Sequence, residues 1–282
     1  MPILGPNISA LQAKRDLAGL IQACKSKDLR TRCAALHALG ELRDPRALPT
    51  LKECLLSNAS QSPEKTEAAE ALGKLGDAST LDALLEANEI SKARERQEID
   101  DSLDTRDKTY RPGFYVNRIA ADEYALRAAI AQAIARLGGA RALEALFQLL
   151  ATETGAMASP VKTAIKNAIA DALENQDAQI VPFLCAQLKH ASVDVRECAA
   201  RCLDEFEDTR AIDALLDAAS DAQEHYAVRE AALIGLGKIG DASALPELDA
   251  LTRSGNRGLA RDAKQCVIAI RQRLNLPTIT GF

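Results

Sequence analysis

Residues 227 to 248 read AVREAALIGLGKIGDASALPEL. Its apolar residues recur at spacings of three and four, which is typical of one face of an α-helix. The pattern is interrupted once, by a glycine and an aspartate at positions 240 and 241, and then resumes. We therefore expect two helices joined by a short turn.

The same pattern recurs along most of the chain. Two close copies read TRCAALHALGELRDPRALPTL (31–51) and EKTEAAEALGKLGDASTLDALL (64–85), and more divergent copies span 125–146, 161–184 and 194–216. The turn residue falls at positions 44, 77, 139, 177, 208 and 241, so successive copies are 33, 62, 38, 31 and 33 residues apart. The chain is therefore predicted to be an array of helical hairpins, with one large and one small insertion.

The residues around each turn suggest how its two helices end and begin. We expect Gly40, Gly73 and Gly237, which follow a leucine, to help stop the first helix because glycine adopts positive φ without strain. The aspartate at the turn is expected to accept hydrogen bonds from the free N–H groups that open the second helix. Three copies also place a proline early in that helix, where its missing donor costs least: Pro49, Pro182 and Pro246.

Composition supports an all-α fold and narrows the choice of partner. Of the 282 residues, 47% are hydrophobic but only 3% are aromatic, a balance that favours packed helices over large sheets. The net charge of −5 argues against nucleic acid as a partner and suits a protein with a basic surface. With neither a signal-peptide pattern nor an apolar run of about 20 residues, the chain is expected to be cytoplasmic and not membrane-inserted. The seven cysteines are interpreted as reduced, buried thiols.

The consensus V-R-x-x-A-A-x-x-L-G-x-L-G-D-x-x-A-L-P-x-L resembles HEAT repeats, of the short HEAT-like type also found in phycobilisome bilin lyases. It extends from about residue 8 to residue 274. The resemblance implies a right-handed α-solenoid of about six hairpins, each burying its apolar face against its neighbours. We expect residues 1–282 to form one such solenoid, with capping helices at 8–24 and 258–274.

A basic residue recurs twelve positions before the turn residue. These ladder positions are Arg32, Lys65, Arg127, Arg196 and Arg229, and the fourth copy has Ile165 there. A phosphate-binding stripe is one interpretation. The favoured one, which the resemblance also implies, is an internal ladder that bonds to carbonyls or to an acidic residue of a neighbouring repeat.

The resemblance also implies that the second helix of each hairpin lines the concave side. Positions two, five and nine after the turn residue share one face of that helix. Acidic residues at these positions form the candidate partner-binding face: Asp82, Glu86, Glu144, Asp213 and Asp217. This face is either ordinary solvated surface or an acidic groove for a basic partner.

The large insertion, residues 89–121, separates the second and third copies. Its first part has mixed charge and is compatible with a frayed helix or with disorder, and its last part contains YRPGFYVN at 110–117. Long insertions in compact arrays are commonly functional or disordered. Three interpretations stay open: a partner- or ligand-binding loop, a lid on its own solenoid, and a disordered segment. The candidate binding residues are Tyr110, Arg111, Phe114 and Tyr115.

No catalytic motif stands out in the sequence. It has no phosphate-binding glycine fingerprint, no Gly-x-Ser-x-Gly elbow and no Cys-x-x-Cys pair. None of its three histidines is followed by glutamate, whereas the HEAT-like deoxyhypusine hydroxylases bind iron through repeated His-Glu pairs. The predicted function is a non-catalytic scaffold for a partner protein, with no cofactor and no metal. The alternative, from the resemblance, is a subunit of a bilin lyase or a related chromophore-attachment chaperone.

Overall fold

The computed structural model of the chain describes residues 6–104, 112–154, 158–174 and 178–277. All regular structure in these ranges is helical, so the all-α prediction is confirmed. None of the helices within the described ranges is both long enough and apolar enough to cross a membrane.

The chain forms two compact units, Met1–Ala172 and Leu173–Phe282. The helices of the first unit are α1 (Ile8–Ala13), α2 (Leu17–Ala23), α3 (Leu29–Leu42), α4 (Leu48–Leu56), α5 (Ser62–Leu75), α6 (Leu81–Asp104), α7 (Pro112–Leu137), α8 (Gly139–Thr152) and α9 (Ala158–Leu173), whose last residue belongs to the second unit. Those of the second unit are α10 (Val181–Gln187), α11 (Val193–Phe206), α12 (Ile212–Ser220), α13 (Tyr226–Ile239), α14 (Leu245–Leu251) and α15 (Arg257–Arg273).

Within each unit the hairpins stack in the same way. The first helices of successive hairpins pack on one another, α3 on α5 on α7 in the first unit and α11 on α13 in the second. Second helices also pack against the first helix of the next hairpin, as α4 does on α5 and α12 on α13. This packing is that of an α-solenoid built from two-helix repeats, which confirms the predicted architecture. Its continuity over residues 1–282 stays a prediction.

The turn aspartates act as expected. Asp44 Oδ1 accepts a hydrogen bond from the Arg46 N–H at 3.0 Å and caps a short 3-10 turn that leads into α4. Asp77, Asp208 and Asp241 accept the equivalent bond at 2.8, 2.9 and 2.8 Å. The short carboxylate therefore starts the second helix in four of the hairpins.

The expectation that Gly237 stops its helix was wrong, because Gly237 lies inside α13. The same expectation was also wrong for Gly40 and Gly73. Both lie inside their helices, which end instead at Arg43 and Gly76, with φ of 50° and 69°. A Cβ added at Gly40 would lie 2.8 Å from the Cα of Ala71, and one added at Gly73 would lie 2.7 Å from the Cα of Ala133. These glycines are therefore required by the close approach of successive first helices, because any side chain would collide with backbone.

The terminal helices agree with the expectation at one end and differ at the other. α15 matches the predicted helix at 258–274. At the other end, residues 8–24 form two short helices because the chain turns at Arg15, which has φ of 52°. The carboxylate of Asp16 then caps α2 by accepting from the Gly19 N–H at 2.9 Å.

Candidate functional site

The first ladder position links two hairpins through a bidentate ion pair. Arg32 Nε donates to Glu64 Oε1 at 2.6 Å and Arg32 Nη2 donates to Glu64 Oε2 at 3.2 Å. The same guanidinium donates to the carbonyls of Ser26 and Lys27 at 2.9 and 3.0 Å. Arg32 thus links the segment that precedes α3 to the start of α5.

Arg196 makes the same set of bonds in the second unit. Its Nε and Nη2 donate to Glu224 at 2.6 and 2.8 Å, and its Nη1 donates to the carbonyls of His190 and Ala191 at 2.7 and 2.9 Å. Burial disfavours the ionised forms of Glu64 and Glu224. The hydrogen bonds from the paired arginines and from backbone N–H groups, together with the arginine charges, outweigh this effect and lower the pKa of each carboxyl. Arg229 donates to the carbonyl of Ala219 at 2.9 Å.

We expect the Arg32–Glu64 pair to contribute to stability in a pH-dependent way. Because the pKa of Glu64 is lower in the folded protein than its ordinary value of 4.5, its contribution is present above that value and is lost as the pH falls through the folded-state value. Glu64→Gln should therefore lower the free energy of unfolding by about 1–2 kcal/mol at pH 7 and by much less at pH 3. Urea unfolding at both pH values measures this, with the exposed Glu53→Gln as the control. Equal losses at the two pH values would contradict it.

The third ladder position is buried much more deeply than Arg32 and Arg196. The Arg127 side chain is 0% exposed, and its Nη2 lies 2.7 Å from Glu95 Oε2 and its Nη1 3.2 Å from Glu153 Oε1. The two glutamates are 3% and 1% exposed. Arg127 therefore joins α7 to the extended part of α6 and to the connection that follows α8.

Further polar side chains lie around Arg127 and its two glutamates. Glu123 accepts from Ser62 Oγ at 3.1 Å and from Ser91 Oγ at 2.6 Å, and Lys92 Nζ donates to Thr152 Oγ1 at 3.1 Å. We call the buried charged side chains the Arg127 cluster; they are Arg127, Glu95, Glu153, Glu123 and Lys92. The cluster holds α5, α6, α7 and the end of α8 together at the base of the insertion.

Burial has an electrostatic cost in this region. It raises the pKa of Glu153 despite the nearby charges of Arg127 and Lys92. At the second ladder residue, Lys65, burial and then the positive charge of Arg94 lower the pKa of the ammonium. Among the described residues, both oxygens of Glu153 and the three guanidinium nitrogens of Arg127 lack a well-aligned hydrogen-bond partner. The cluster is therefore held mainly by charge attraction at short distance.

The insertion lengthens the two helices on either side of it. α6 continues as a helix to Asp104 and α7 begins at Pro112. Of the candidate binding residues, Tyr110 and Arg111 lie outside the described residues. Phe114 and Tyr115 belong to the first turns of α7, and their side chains also lie outside the described part.

The acidic residues predicted on the second helices are all exposed. Asp82 and Glu86 lie on α6 and Glu144 on α8, while Asp213 and Asp217 lie on α12. Asp82 Oδ1 is 3.7 Å from Arg141 Nη2 of α8, which shows that these second helices present their outer residues side by side. In the second unit, Asp217 lies at an open cavity of about 360 Å³, beside Arg196 and Glu224.

Sequence reasoning identified Arg127 but missed its partners. Glu95 lies in the insertion and Glu153 in the smaller insertion after α8, so neither occupies a position that recurs in the other copies. The only signal was the recurrence of the arginine itself at a ladder position.

Comparisons with known proteins identify the repeat type. The HEAT repeats model matches residues 17–103 and 181–267. A search of curated proteins finds no match. The chain is similar to the structure of human deoxyhypusine hydroxylase in complex with glycerol, at 18% identity and a TM-score of 0.38, covering 94% of this chain and 88% of that one.

Two other solved structures show a similar degree of likeness. The complex of CpcE and CpcF of phycocyanin lyase from Nostoc sp. PCC7120 is 21% identical, with a TM-score of 0.40 and coverage of 91% of this chain and 87% of that one. The archaeal HEAT-like repeats protein from Thermococcus onnurineus NA1 is 16% identical, with a TM-score of 0.32 and coverage of 94% and 91%. Since the HEAT model matches more than half of the residues and the hairpins stack as such repeats do, the chain belongs to the HEAT repeat family.

Proposed function

We propose that this chain is a non-catalytic scaffold that binds a partner protein through its insertion and through the exposed acidic face of its second helices. The observation that carries the proposal is the buried charge cluster at the base of the insertion. A segment of about 30 residues is added to an array of 33-residue repeats, and its base contains a buried charge cluster. Burying charges is costly, and a hydrophobic base would be at least as stable. We infer that the cluster is kept because it orients the insertion.

The distance from the cluster to the end of the insertion supports a role at the surface. From Glu95 to Asp104 α6 runs for about 14 Å, and from Pro112 to Glu123 α7 runs for about 16 Å, at 1.5 Å per residue. The two helices pack against each other. The ends of these helices at Asp104 and Pro112 therefore lie two to three turns beyond the cluster.

The residue types of the aromatic segment 110–117 suit a protein partner. Tyrosine, phenylalanine and arginine are enriched at the centres of protein interfaces, where they bury large areas at little entropic cost. The exposed carboxylates Asp82, Glu86 and Glu144 are on the helices that adjoin the insertion or contain it. A partner with an aromatic- or aliphatic-lined pocket and a basic rim would match both features. The seven cysteines, all present as thiols, suit the reducing cytoplasm.

Substitution of the aromatic residues tests this proposal. We expect affinity capture from a native lysate, followed by mass spectrometry and reconstitution with the purified partner, to yield a complex with the wild-type chain. The variant Tyr110→Ala, Phe114→Ala, Tyr115→Ala should bind that partner at least 30-fold more weakly, since one interface hot spot is worth about 2 kcal/mol or more.

The control removes apolar side chains elsewhere. Ile234 and Ile268 are exposed on α13 and α15, and the double variant Ile234→Ala, Ile268→Ala should keep full affinity. Circular dichroism verifies that both variants are folded. Equal binding by the aromatic variant would reject the insertion as the docking site, and co-purification of a bilin or phycobiliprotein would favour the lyase alternative instead.

A further inference from the structure

Three side chains that offer metal ligands meet between the first helices of the first two hairpins. One ligand atom each from His37 of α3 and from Glu67 and Glu70 of α5 lie within 4.8 Å of one another. His37 Nδ1 is 3.4 Å from Glu67 Oε2. His37 and Glu70 occupy the same position in successive repeats, seven residues before the turn. Stacking of the repeats therefore brings together residues that are about 30 positions apart in the sequence.

An unsatisfied oxygen at this point indicates a cation. Glu67 Oε2 is shielded from solvent and has no hydrogen-bond partner among the described residues. A carboxylate oxygen that has lost its water without gaining a donor or a cation is destabilised. His37, at 51% side-chain exposure, leaves the position accessible from outside. An ion that approaches from solvent can thus reach both groups.

The other nitrogen of His37 already faces a carboxylate. His37 Nε2 lies 3.7 Å from Glu41 Oε1, and that oxygen accepts a hydrogen bond from Lys74 Nζ at 2.7 Å. A metal-bound histidine commonly presents its second ring nitrogen to a carboxylate, which fixes the ring and the tautomer. With Nε2–H directed at Glu41, the lone pair of Nδ1 points toward the glutamates of α5.

We propose that His37 Nδ1 and one carboxylate oxygen each from Glu67 and Glu70 bind a divalent ion of the zinc class, linking the first two repeats. One imidazole and two carboxylates suit Zn²⁺ and its first-row neighbours, whereas Mg²⁺ and Ca²⁺ prefer oxygen ligands alone. Zinc bonds of 2.0–2.1 Å set tetrahedral ligands about 3.3 Å apart, so the side chains must close slightly. Rotation of the two partly exposed glutamates allows this. The fourth position stays open to water or to a partner's side chain.

The test is a titration of the full-length chain with Zn²⁺ in chelator-treated buffer near pH 7.5, followed by isothermal calorimetry. We expect micromolar or tighter binding of one ion that is weakened at least tenfold in His37→Ala and in Glu70→Gln. His225→Ala removes a histidine that caps α13 and should leave this binding unchanged. Circular dichroism confirms that each variant is folded.

Two results would contradict the zinc site. Unchanged Zn²⁺ affinity in both His37→Ala and Glu70→Gln would place the ion elsewhere, for instance at thiols, and would overturn the proposal. Absence of micromolar binding by the wild-type chain would overturn it as well and would leave His37 and Glu67 as a simple charge pair.

Discussion

Arg127→Ala is expected to lower the free energy of unfolding by about 3–5 kcal/mol, the usual cost of removing one partner from a buried ion pair. Arg127 is fully buried between Glu95 and Glu153. Its removal leaves two buried carboxylates without their closest counter-charge, and burial already raises the pKa of Glu153. Urea unfolding followed by far-ultraviolet circular dichroism measures the loss.

A surface ion pair on the same helices serves as the matched control for Arg127. Arg141 and Asp82 lie 3.7 Å apart with side chains 81% and 85% exposed, so Arg141→Ala should cost less than about 1 kcal/mol. A second variant, Arg127→Met with Glu95→Gln and Glu153→Gln, removes all three charges and should recover part of the loss. If Arg127→Ala cost no more than Arg141→Ala, the cluster would not be the base that holds the insertion.

Gly73→Ala is expected to destabilise the protein by about 1–3 kcal/mol, although alanine is the better helix former. The added Cβ would lie 2.7 Å from the Cα of Ala133, and backbone cannot move aside as a flexible side chain does. The packing of α5 on α7 must therefore open. Thermal and urea unfolding of the purified variant measure the cost.

Gly237→Ala is the matched control, because Gly237 holds the same position in the last repeat. Its added Cβ would have Ala269 Cβ at 3.8 Å as its nearest neighbour, an ordinary contact. This substitution should therefore be neutral or should stabilise α13 by up to about 1 kcal/mol. Effects of the same sign and size at the two glycines would show that propensity, not close approach, governs both positions.

The comparison of Gly73 with Gly237 shows why the fold was predictable and its details were not. The periodic apolar residues and the turn aspartates recur in each copy, so the hairpins could be predicted from any one of them. The two glycines sit in nearly identical sequences, LGKLGD and LGKIGD. What distinguishes them is the distance to the next first helix, which depends on residues 30 or more positions away.

The candidate site was likewise predictable only where its residues recur in each copy. The ladder arginines were visible because they recur, and their contacts with Glu64 and Glu224 lie in the next repeat, where a ladder would need them. The partners of Arg127 occupy positions that do not recur in the other copies. In the His37 cluster, His37 and Glu70 share one repeat position but Glu67 does not, and the packing of α3 on α5 brings the three together. The helical continuation of α6 to Asp104 was left open because the segment is charged and lacks an apolar stripe, although its residues are mostly good helix formers.

The role proposed for the insertion, which the Arg127 cluster orients, is to bind the partner. It is tested most directly by comparing the full chain with a variant in which residues 99–117 are replaced by a short Gly-Ser linker, leaving Lys92, Glu95, Glu123 and Arg127 in place. The affinity of each for the purified partner is measured by isothermal calorimetry. We predict at least a 100-fold loss for the shortened chain with its helical circular dichroism otherwise retained. Equal affinity of the two chains would contradict the account and would assign binding to the acidic face of the second helices.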